Sequence, residues 1–119
     1  MTDTYDRLQA GMPAGKIEVR PQAIARVAAC AAARVDGVVG LVRRLPTEVS
    51  VPVLAEEHLH HGVEVRVHNG DARVDVYVVL RYGAPLAAIA QSVEDAVRAA
   101  VELALEQPVA VRVRVQGVR

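Results

Sequence analysis

Alternating apolar and polar positions mark several short segments of this chain as strands, and two longer segments repeat at the helical period. Lys16-Ile17-Glu18-Val19-Arg20 alternates and predicts a short half-buried strand. Pro21 follows at a position that suits the first turn of a helix. Ile24, Val27, Ala28, Ala31 and Val35 then recur at one-face spacing, predicting a helix over about 21–35 that Asp36-Gly37 closes. Val63, Val65 and Val67 alternate with Glu64, Arg66 and His68, and Asn69-Gly70 is a strong hairpin-turn signal. The return strand carries Val74, Val76, Val78 and Leu80 on one side and Arg73, Asp75, Tyr77, Val79 and Arg81 on the other. Gly83 and Pro85 open a second helix over about 85–106, with Leu86, Ile89, Ala90, Val93, Val97, Ala100, Val101 and Ala104 along its apolar stripe. Gln91, Glu94, Asp95, Arg98 and Glu102 lie opposite. Pro108 stops the helix, and Val109, Val111, Val113 and Val115 alternate through a closing strand.

The order β-α-β-β-α-β, with one apolar face per strand and one stripe per helix, predicts a two-layer α+β fold. Both helices lie on one face of a mainly antiparallel sheet. A split βαβ, ferredoxin-like topology is the best match. Residues 1–14 read as a flexible leader and 15–118 as a single domain. Residues 43–61 are the irregular part, interrupted by Pro46 and Pro52, although Val49, Val51 and Val53 alternate and could add a short edge strand.

Composition narrows the functions available. Valine (24) and alanine (20) dominate, Phe and Trp are absent, and there are three tyrosines, so aromatic stacking platforms for bases or sugars are scarce. Fourteen basic and fourteen acidic residues cancel, leaving no long-range field to draw the chain to nucleic acid or an anionic membrane. No apolar stretch approaches the ~20 residues that span a bilayer, and no signal peptide is visible at the N-terminus. A soluble cytoplasmic protein, without direct membrane insertion, is the expectation.

Catalytic chemistry finds little support. Ser50 and Ser92 sit in no nucleophile elbow, and no phosphate-binding glycine motif occurs. The single cysteine, Cys30, excludes an internal disulfide and reads as a packing residue beside the apolar stripe of the first helix. Glu56-Glu57 and Glu94-Asp95 read as solvated surface. His58, His60 and His61 are weak metal-ligand candidates, because a loop does not fix ligand geometry. No cofactor and no small-molecule substrate are expected.

One local patch stands out. With the valines turned toward the helices, the opposite sheet face presents Arg66, Arg73, Tyr77, Arg81, Arg112 and Arg114, together with Glu64 and Asp75. Three readings of that face remain open: a solvated surface of cross-strand ion pairs, an interface with a protein, and a small RNA-binding module.

The ordered set of motifs resembles a known family. Gly15-Lys16-Ile17-Glu18-Val19, Val35-Asp36-Gly37-Val38-Val39-Gly40-Leu41, Gly62-Val63-Glu64-Val65, Val74-Asp75-Val76-Tyr77-Val78-Val79, Tyr82-Gly83 and the closing Val109–Val118 are similar to the alkaline shock protein twenty-three, or general-stress (Gls), family of Gram-positive bacteria. The resemblance implies a non-enzymatic protein of cell-envelope stress. It would act by self-association or by binding a small membrane-anchored protein partner, which could hold it at the membrane periphery.

Overall fold

The computed structural model describes residues 20–44 and 52–119. Helix α1 (Pro21–Ala33) leads to strand β1 (Val38–Leu41), a 3-10 helix (Glu56–Gly62), strands β2 (Val63–His68) and β3 (Asp71–Leu80), helix α2 (Leu86–Leu105) and strand β4 (Val109–Val118). Strand β3 is the axis of the sheet. It pairs antiparallel with β2 through its first half and with β1 through its second half, both along the same edge. Its other edge carries β4, which runs parallel to it over nearly its whole length. The architecture is α+β and two-layered, with two of the three strand pairings antiparallel. The β2–β3 hairpin and the β3–α2–β4 crossover supply the second half of the expected order. The anticipated first strand, 16–20, and positions 49 and 51 of the possible edge strand lie outside the described residues, apart from Arg20.

The core forms between one face of the sheet and both helices. Val74, Val76, Val78 and Leu80 of β3 are fully buried against Val93, Val97 and Val101 of α2 and Ala28, Ala29 and Ala32 of α1. Burying a valine is worth on the order of 1.5 kcal/mol, whereas an exposed ion pair contributes about 0–1 kcal/mol. The apolar face therefore fixes the register, and a one-residue slip would turn all of it to solvent.

Local signals place the element ends. Pro21 stands in the first turn of α1, where its missing N–H costs nothing. Asn69 and Gly70 both have positive φ (50° and 83°), the geometry of a tight two-residue hairpin turn. Gly37 has φ +99°, and a Cβ there would run into the Ile89 side chain of α2, so glycine is required twice over. Past α2, the Glu102 carboxylate accepts the Val109 N–H at 3.0 Å, and Gln107 donates to the Gly70 carbonyl at 3.1 Å. These two bonds lock the start of β4 beside the hairpin.

Four expectations need correction. The buried stripe of α1 is Ile24, Ala25, Ala28, Ala29 and Ala32, rotated from the anticipated one, and Val27 is exposed. The alanine side lets α1 approach α2 closely, which the bulkier Val27 would prevent. That rotation turns Cys30 outward, so it is exposed rather than a packing residue. In addition, Val38–Leu41 forms a strand that periodicity did not indicate, and Glu56–Gly62 within the supposedly irregular stretch is a 3-10 helix.

Candidate interaction face

Alternation along β3 sends Arg73, Asp75, Tyr77 and Val79 to the side away from the helices. Pairing then assembles the face around them. Arg66 stands directly opposite Arg73, Glu64 opposite Asp75, Arg112 beside Asp75 and Arg114 beside Tyr77. The sheet thus brings Arg66, Arg73, Arg112 and Arg114 together on one exposed surface. Among the described residues, none of these four guanidiniums has an ion-pair partner within 4 Å, whereas Arg44, Arg81 and Arg98 do. Near the hairpin, a shallow cavity of about 420 Å³ is lined by Arg66, His68, Asp71, Ala72, Arg73 and Ala110. The small Ala110, beside Arg73 on the β4 side, leaves this floor open next to the two facing arginines.

Arg81 and Tyr77 behave differently from those four. Arg81 lies past the end of β3, 3.7 Å from Asp36 in the turn after α1. Tyr77 is on the face but only 4% exposed, so its ring is not a free contact surface. It packs with Val42 and Val79 in a small second cluster. Val53 covers the same end of the face: a Cβ on Gly40 would stand 2.9 Å from the Val53 Cβ. The β1 end of the face is therefore closed and apolar, and the hairpin end is open and basic.

A polar cluster joins the two ends. The Tyr77 hydroxyl donates a hydrogen bond to Glu64, and Arg44 Nη1 reaches both Glu64 oxygens at 3.3 and 3.4 Å. The Tyr77 bond, with help from the Arg44 and Arg66 charges, holds the Glu64 carboxyl below its ordinary pKa despite partial desolvation. Burial and the Glu64 carboxylate together push the Tyr77 phenol up. Asp75 is 5% exposed, and its Oδ1 has no hydrogen-bond partner among the described residues. An unpaired buried acceptor and two carboxylates side by side on adjacent strands both cost stability. Arg44 and the burial of Asp75 were invisible to periodicity, because both depend on where residues 42–44 and 53 cross the sheet.

The histidines take another position. His58, His60 and His61 lie on the 3-10 helix, with ring centroids 5.5 Å apart for His58–His61 and 4.2 Å for His60–His61. Arg43 hydrogen-bonds His61 Nδ1. Partial desolvation, followed by nearby cations including Arg26 and Arg43, holds His60 and His61 below the usual histidine pKa. The same cations oppose a metal ion. Among the described residues, no three His, Cys, Asp or Glu side chains are grouped to hold one.

Comparison with known proteins identifies the lineage. A family model for the Asp-twenty-three family, of cell envelope-related function, matches residues 10–119. The chain belongs to the alkaline shock protein twenty-three family. It is 30% identical over 107 residues to the uncharacterized protein YloU of Bacillus subtilis (strain 168), covering 88% of this chain and 89% of that one. It is 32% identical over 84 residues to the uncharacterized protein YqhY of the same organism, covering 71% and 62% respectively. No solved structure matches. The family implies a role related to the cell envelope, and no helix among the described residues is long and apolar enough to cross a membrane.

Proposed function

We propose that this protein is a non-enzymatic interaction module of the cell envelope, and that a protein partner docks on the open, basic half of its sheet face. The observation that carries the reading is the set of four exposed guanidiniums of Arg66, Arg73, Arg112 and Arg114 on one sheet face, none with an ion-pair partner within 4 Å among the described residues. Arginine is favoured at protein interfaces because its planar fork forms paired hydrogen bonds with carboxylates. Two arginines directly opposite each other destabilise a sheet in isolation, and an anionic partner relieves that repulsion. A small membrane-anchored protein suits the family's envelope connection.

Crosslinked affinity purification from the native host tests this. The wild-type bait should recover a specific protein partner, and Arg73→Glu combined with Arg112→Glu should lose it. Recovery of the same partner by the double variant would remove the face from the account. RNA enriched above a mock control would instead make the arginines a nucleic-acid site. Burial of Tyr77 weighs against that outcome, since it withdraws the face's one aromatic ring from base stacking.

A further inference from the structure

Strand β4 has ten residues, and its outer edge is unpaired among the described residues. Long edge strands are templates for pairing, and soluble proteins usually blunt them with proline, bulges, inward-pointing charge or charged side chains along the edge. Between Val109 and Val115 this edge has none of the first three, and its two charged side chains, both arginine, repel another basic strand but attract an acidic one. The edge contains no proline, its register shifts only after the position opposite Val78, and Arg112 and Arg114 lie on the open face rather than inward. Beside it runs a groove of about 390 Å³, lined by Ala87, Ala90, Gln91 and Glu94 of α2 and Val111, Arg112 and Val113 of β4. The alanines of α2 leave room there for side chains from one more strand.

We infer that this edge accepts an extended peptide segment of the protein partner as a fifth strand, with small apolar side chains turned toward Ala87 and Ala90 and carboxylates turned toward Arg112 and Arg114. The backbone supplies hydrogen bonds to any sequence, and the two faces select an alternating acidic–apolar one. A second copy of this chain fits less well. Antiparallel β4–β4 pairing about the strand centre sets Arg112 of each copy against Arg114 of the other, and like charges directly opposite repel. The inference rests on the interaction reading above but can fail separately, because a partner can dock on the face without adding a strand.

The test uses the full chain and fluorescently labelled eight-residue peptides alternating valine with glutamate, or valine with lysine. Anisotropy titration should find the glutamate peptide bound about tenfold more tightly, as expected of several cross-strand charge pairs acting together. Arg112→Glu with Arg114→Glu should invert that preference. N-methylation of every backbone nitrogen of the glutamate peptide should abolish binding, because the added strand then has no donor for the β4 edge in either direction. No binding, equal binding of both peptides, or binding that survives the full methylation would overturn the inference. So would a dimer in sedimentation that the glutamate peptide dissociates, since it would show the edge to be taken by a second copy.

Discussion

At the residue scale, Asp75, Glu64 and Tyr77 oppose one another. Glu64 is held ionised by the Tyr77 hydroxyl and by Arg44, while Asp75 directly across from it has an oxygen with no partner among the described residues. Asp75→Asn removes both the buried charge and the repulsion, and should stabilise the fold by about 1 kcal/mol in urea unfolding. The folded-state pKa of Glu64 is depressed. Its stabilisation is therefore present above the unfolded carboxylate value of about 4.3 and is lost as pH falls through the lower folded value. Glu64→Gln should flatten the acid side of a urea-midpoint profile. Tyr77→Phe should cost about 1 kcal/mol near neutrality and soften the same acid slope, because the largest influence on Glu64 is gone. The Tyr77 phenol is raised, so its contribution disappears as pH climbs past the ordinary tyrosine value of about 10.

At the scale of elements, the turns are the sharpest test of local geometry. Gly70 and Gly37 both have positive φ, but a Cβ on Gly70 meets nothing within 4 Å, while one on Gly37 meets Ile89. Gly70→Ala should cost about 1 kcal/mol of backbone strain. Gly37→Ala adds overpacking of α2, bringing the loss to roughly 2–4 kcal/mol; equal costs from thermal unfolding would contradict this packing. The hairpin, both helices and β4 were legible in the sequence because each carries a long apolar repeat with a stop signal, such as Asn69-Gly70 or Pro108. Strand β1 was not, since Val38-Val39-Gly40-Leu41 is too short to show a period and its glycine lowers strand propensity. Its existence comes from pairing with Val78 and Leu80 in a distant segment. The phase of α1 was misread for a related reason: a helix made mostly of alanine has a weak apolar moment, and contact with α2 decides which side is buried.

At the scale of the whole molecule, the two faces of the sheet do different work. One is packed with valines against the helices and sets the fold. The other is closed at the β1 end by Val42, Val53, Tyr77 and Val79 and open at the hairpin end around four arginines. The arginines themselves were legible in the sequence from strand alternation. Their division into an open half and a closed half was not, because that depends on where the chain crosses the sheet after β1. The chain has no net charge, so its selectivity for an acidic partner has to come from this local patch, and binding should weaken as salt screens it. The most direct measurement is arginine-selective modification by phenylglyoxal, read by mass spectrometry, on the purified protein and on the protein in native-host extract. The account predicts that Arg66, Arg73, Arg112 and Arg114 react freely in the purified protein and are protected in the extract, while Arg34 on the helical side reacts equally in both. Equal reactivity of the four sheet arginines in both samples would contradict it.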